Sequence, residues 1–79
     1  MKNDKELFGL AQMYVGLERE YEKANEYNLY ELDEIKKGLE NIRDTLFKKG
    51  YDVDKFIHYQ HLYRTMTMGE YFEFIKTLE

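Results

Sequence analysis

From Leu7 the apolar positions advance as Leu7, Leu10, Tyr14, Leu17 and Tyr21, alternating steps of three and four that bring five side chains to one stripe of a helix. Phe8, Ala11 and Val15 form a second stripe beside the first, the width expected of a helix covered on more than one side. Asn3 or Asp4 supplies a cap, with Glu6 three residues after Asn3, so the pattern predicts a first helix over residues 4–24. Gly9 and Gly16, seven residues apart on that helix, leave two readings open. Either they let another helix approach closely or they are merely tolerated.

The same rhythm returns as Leu32, Ile35, Leu39, Ile42 and Leu46, one residue out of phase with the first stripe. A phase reset is therefore required near residues 25–28. Asn28 followed by Glu31 reads as a cap with its acidic third position, and Lys48, Lys49 and Gly50 read as a helix end, which predicts a second helix over 29–49. Two long helices with a short polar joint form an antiparallel hairpin. The competing arrangement is one long helix with a stutter at residues 25–28.

Asp52 and Asp54 offer caps for a third helix over 53–64, with Phe56, Tyr59 or Ile57, Leu62 and Tyr63 on its apolar side. Thr67 followed by Glu70 is a capping box and opens a fourth helix over 68–78. Tyr71, Ile75 and Leu78 are expected to share its inner face, with Phe74 left pointing elsewhere. No run alternates polar and apolar residues between turn signals, and no linker divides the chain. The expected fold is all-α, a single small helical domain over 1–79 built from a long hairpin and two shorter helices.

Composition sharpens this picture. Thirteen of the 79 residues are aromatic, eight of them tyrosine, and the chain has no cysteine, serine, proline or tryptophan. The usual nucleophiles and thiolate ligands are missing, whereas rings that gain free energy by being covered abound. A domain this small buries only about 60–65% of its unfolded surface and, without disulfides, turns to association or idealised helix packing. A homo-oligomer is therefore expected. No apolar run approaches the roughly 20 residues of a membrane span and the start, Met1 to Glu6, lacks the apolar stretch of a signal peptide, so the expected location is the cytoplasm.

The net charge of −4 is unevenly laid out: residues 1–34 carry nine acids against four bases, 35–66 four against seven, and 67–79 three against one. Seven acids lie between Glu18 and Glu34, a run that repels bare nucleic acid. Helices three and four outline a helix-turn-helix, but the second bears Glu70, Glu73 and Glu79 against Lys76 alone, the wrong sign for a phosphate-lined groove. Direct nucleic-acid binding is not expected. The bases Lys36, Lys37, Arg43, Lys48, Lys49 and Arg64 are expected instead to pair with the acidic block.

Asp54, His58 and His61 fall on one helical face, a ligand set seen in zinc and iron sites. A single helix does not enclose an ion, so the favoured interpretation is a cap and two partly exposed imidazoles. No metal or cofactor is expected. Glu22, Glu26, Tyr27, Tyr30, Glu31 and Glu34 place rings beside carboxylates around the hairpin joint, a combination suited to selecting a basic partner.

The expected role is thus a non-enzymatic interaction module, an acidic accessory protein of phage or mobile-element type that inhibits or adapts a host protein by occupying a basic groove. The residue usage, rich in Lys, Asn, Glu and Tyr, suits an AT-rich genome of that kind. The alternative from another class is an oligomeric sponge for an anionic nucleotide, with Lys55, Tyr59, Tyr63 and Arg64 stacking on the base and pairing with phosphate.

Overall fold

The computed structural model describes residues 2–27 and 32–78, with side chains placed for 4–24 and 32–78. Four helices account for nearly all of it: α1 (Lys2–Tyr27), α2 (Leu32–Lys49), α3 (Val53–Thr65) and α4 (Met68–Leu78). No strand occurs among the described residues. The all-α architecture with a long helical pair and two shorter helices is therefore as the sequence predicts. The first helix runs three residues further than expected, through Tyr27, and the joint and its Asn28 cap fall outside the described residues.

α1 and α2 form the antiparallel hairpin. Glu6 meets Lys49, Tyr14 meets Arg43, Leu17 lies against Gly38, and Lys36 sits over the Tyr21 ring, so position numbers fall along α2 as they rise along α1. The single-long-helix arrangement is excluded. Gly38, not Gly9 or Gly16, is the glycine packed against the neighbouring helix: a Cβ there would lie 3.1 Å from Leu17 Cδ1, whereas nothing stands within 4 Å of one at Gly9 or Gly16.

α1 is the central helix. Its second apolar stripe is the more deeply covered, with Phe8 1% exposed and Ala11 and Val15 at 0%, while Leu10, Leu17 and Tyr21 on the first stripe remain half-buried. Phe8 is the hub. Its ring lies 5.5 Å from Tyr59 and 6.3 Å from Tyr63 on α3, and 6.2 Å from Tyr71 and 4.9 Å from Phe74 on α4. The edge-to-face members of this group add about 0.5–1.5 kcal/mol per pair beyond area burial. Ile42 and Leu46 of α2 join the same core with Leu7, Tyr14 and Phe56.

The helix ends are fixed by local chemistry. Gly50 takes φ +67°, Tyr51 N–H donates to the Leu46 carbonyl at 3.0 Å and Gly50 N–H to that of Phe47 at 3.2 Å, a Schellman end that only an unsubstituted residue enters freely. Asp52, rather than Asp54, caps α3, its Oδ1 accepting from the Asp54 and Lys55 amides. The Thr67 capping box forms in both directions, Thr67 N–H donating to Glu70 Oε1 at 2.9 Å and Glu70 N–H to Thr67 Oγ1 at 3.2 Å. Backbone donation to its carboxylate holds Glu70 below the ordinary range.

On α4 the inner face is Tyr71, Phe74, Ile75 and Leu78, spaced three, four and seven residues from the first. The expectation that Phe74 would be left over is wrong, and the odd residue is Phe72, 58% exposed. With α1 in the middle the molecule is flattened, 39 × 31 × 17 Å.

Candidate protein-binding surface

Three cross-helix ion pairs tie the ends and flanks of the molecule together. Asp4 accepts from Lys55 Nζ at 2.9 Å, Glu6 pairs with Lys49, and Glu18 pairs with Arg64. Asp4, expected as a cap, instead bridges α1 to α3. The Lys55 ammonium holds the Asp4 carboxyl below its usual range, and the Lys49 ammonium together with the Tyr51 hydroxyl does the same for Glu6. Both lysines are raised in return by those carboxylates. Each group is substantially exposed, so these pairs fix register more than they add stability. Arg43 donates from Nε and Nη2 to Tyr14 Oη at 3.1 and 2.7 Å. The basic block of the sequence is thus largely directed inward, onto α1.

Exposed carboxylates without an ion pair to another described residue include Glu40, Asp44 and Asp54 along α2 and α3 and a group of four at the hairpin end. Glu20, Glu22, Asp33 and Glu34 are exposed and none makes an ion pair with another described residue. Residues 18–37 carry seven acids against four bases, a balance of −3, while 1–17 balance to zero, 38–66 to +1 and 67–79 to −2. Most of the net charge of −4 therefore sits at one end. Glu22 also lines a hollow of about 410 Å³ with Tyr21, Leu39 and Lys36, which sets a carboxylate beside an aromatic ring. Asp33 and Glu34 stand in the first turn of α2, where the helix dipole favours a carboxylate, while α1 has no basic residue in its last turn.

Of the six residues expected to bind a partner, Glu22 and Glu34 are thus placed, exposed at the same end of the hairpin. Glu26 and Tyr27 belong to the described α1 backbone but not to the described side chains, and Tyr30 and Glu31 lie outside the described residues. Glu20, Asp33 and Tyr21 join the surface. They were visible in the acidic run and in the first apolar stripe, but only the antiparallel pairing brings the end of α1 and the start of α2 to one end of the molecule.

The alternative nucleotide set divides. Tyr59 is a core residue, 6% exposed, and Lys55 is held by Asp4. Tyr63 and Arg64 do share a hollow of about 380 Å³ with Arg19 and Tyr71, where the Arg19 guanidinium lies 5.9 Å above the Tyr63 ring and Arg64 is engaged by Glu18. His58 and His61 are exposed, and among the described residues no three His, Asp or Glu side chains are grouped to hold a metal ion. None of the described helices is long and apolar enough to cross a membrane.

Comparison of the chain with known protein families, characterised proteins and solved structures gives no match to any of them.

Proposed function

We propose that the protein is a non-enzymatic binding module whose hairpin end docks on a basic surface of another protein. The observation that carries this is the segregation of charge. Asp4, Glu6 and Glu18 hold Lys55, Lys49 and Arg64 against the body of the molecule, while Glu20, Glu22, Asp33 and Glu34 are exposed and make no ion pair with another described residue. Such a surface attracts arginine- and lysine-rich partners from a distance and suppresses acidic ones. A groove built to hold nucleic acid is the most intensely basic surface a cell offers, and a compact acidic helical hairpin is a suitable occupant. An inhibitor or adaptor carried by a phage or mobile element is the setting that fits this chemistry best.

The test is affinity capture from the organism of origin with two baits: the native chain and a variant combining Glu20→Gln, Glu22→Gln, Asp33→Asn and Glu34→Gln. All four side chains are exposed, so the variant keeps its fold. A partner retained by the native chain, released by salt and absent from the variant supports the assignment. Equal retention by both baits refutes it.

A further inference from the structure

We propose that the groove between α2 and α3 is a self-association surface, in which Phe47 of one copy enters the groove of a second copy and the exchange is reciprocated about a two-fold axis. The groove holds about 250 Å³. Tyr14 of α1 forms its floor, Leu46 and Phe47 stand on the α2 wall, and Val53, Phe56 and Ile57 on the α3 wall. α4 covers a different face of α3, the one carrying Tyr59 and Tyr63, so no described helix crosses the groove.

Three observations select a second copy as the occupant. The first is shape. Phe47 is 78% exposed and stands at the lip of a hollow whose other lip, Val53 and Ile57, is 46% exposed at each residue. A projecting ring and an apolar hollow on one face make that face complementary to itself, the condition for an isologous interface.

The second is area. The chain exposes 6057 Å², whereas a compact 9.7 kDa protein exposes roughly 5,100 Å². The chain thus carries more surface than a compact monomer of its mass, and a stable interface takes roughly 800 Å² from each partner. Phe47, Val53 and Ile57 alone offer about 300 Å² of it, as large as the main apolar patch of many monomers.

The third is charge. Leaving aside Lys49 and Lys55, which Glu6 and Asp4 engage, α2 carries Arg43, Asp44 and Lys48 around Phe47, a balance of +1, while the cap and first turn of α3 carry Asp52 and Asp54, a balance of −2. A two-fold exchange lays each α2 over the opposite α3, setting the basic wall against the acidic one. Arg43, which lines the groove, bonds only the neutral Tyr14 hydroxyl in its own chain. The acidic hairpin ends project away from this contact, giving a dimer with two partner-binding ends.

Light scattering on the full chain at about 100 µM, where a micromolar dimer is saturated, is expected to give 19.4 kDa, twice the chain mass of 9.7 kDa. Phe47→Glu is expected to return the mass to 9.7 kDa with an unchanged circular dichroism spectrum, because the side chain is mostly exposed. The chain has no cysteine, which permits a positive test. A mass-tagged Phe47→Cys chain mixed with an Ile57→Cys chain should oxidise to a covalent heterodimer, and a Phe72→Cys chain with the same Ile57→Cys chain should not. A monomeric native chain, a dimer that survives Phe47→Glu, or equal cross-linking by the two mixtures overturns the proposal.

Discussion

Replacing Phe8 with alanine tests the packing account at its centre. The side chain is 1% exposed and touches four rings drawn from α3 and α4. Burying an aromatic side chain removes about 200 Å² from water, worth about 5 kcal/mol at 25 cal/mol per Å². Partial collapse of the neighbours returns some of that, so a loss of about 3–5 kcal/mol is expected for Phe8→Ala. A domain of 79 residues has a total stability of about 4–12 kcal/mol, so the variant sits at the edge of unfolding. Urea denaturation followed by far-ultraviolet circular dichroism measures this: with a slope near 1 kcal/mol per molar, the midpoint falls by roughly 3–5 M. Phe47→Ala is the internal control, since a ring 78% exposed contributes within about 0.5 kcal/mol when the chain is dilute enough that association adds nothing. A loss below about 1.5 kcal/mol for Phe8→Ala, or equal losses for the two variants, refutes the assignment of Phe8 as the hub.

Further outcomes follow from the helix ends, the glycines and the titratable pairs. Gly9→Ala and Gly16→Ala meet nothing within 4 Å and should each stabilise by about 0.5–1 kcal/mol in the same titration, whereas Gly38→Ala gains less because its Cβ crowds Leu17 at 3.1 Å. Gly50→Ala forces a side chain onto φ +67° and should cost about 1 kcal/mol. Thr67→Ala removes half of the capping box and should cost about 1 kcal/mol as well, seen as a lower melting temperature. Asp4, Glu6 and Glu70 are held below their ordinary values of 3.8, 4.5 and 4.5, so the unfolded chain binds more protons in that range. Their contribution is present above pH 4.5 and is lost as pH falls through the lowered values. Lys49 and Lys55 are raised above 10.5, so their contribution persists below that pH and disappears as pH climbs through the raised values. Both losses should shrink in high salt.

Much of the fold was legible because the residues that build it act locally. The three-four spacing set the helices, the Thr67–Glu70 pair marked the start of α4, and Gly50 after two lysines marked the end of α2. Apolar width predicted that α1 would be covered on two sides, as Phe8 and Val15 show. Errors arose where the outcome depends on a neighbour. Asp4 had a local use as a cap and a distant one in Lys55, and the distant one won. Gly9 and Gly16 have the spacing of a contact face, but α2 meets α1 at Gly38. Phe74 is a different case, since its position three residues after Tyr71 already puts it on the face of Ile75 and Leu78, where the Phe8 ring meets it at 4.9 Å.

The binding surface was half visible. The run of acids announced a negative end, but which carboxylates are consumed internally depends on the antiparallel pairing that aligns Glu6 with Lys49 and on α3, which brings Arg64 to Glu18. The self-association groove left a fainter mark. Phe47 stands one position off the α2 stripe of Ile42 and Leu46, and Ile57, the alternative to Tyr59 on the apolar side of α3, is left 46% exposed while Tyr59 is buried.

The most direct test of the central claim, that uncompensated carboxylates at the hairpin end select a basic protein, is the salt dependence of affinity for the captured partner. Calorimetric titration of native and four-fold neutralised chains, between about 50 and 300 mM NaCl, spans the range over which screening of surface charge changes most. The account predicts that native affinity falls steeply with salt and that the neutralised chain binds weakly, with a much flatter dependence. A native affinity indifferent to salt, or a neutralised chain that binds as tightly as the native one, contradicts it.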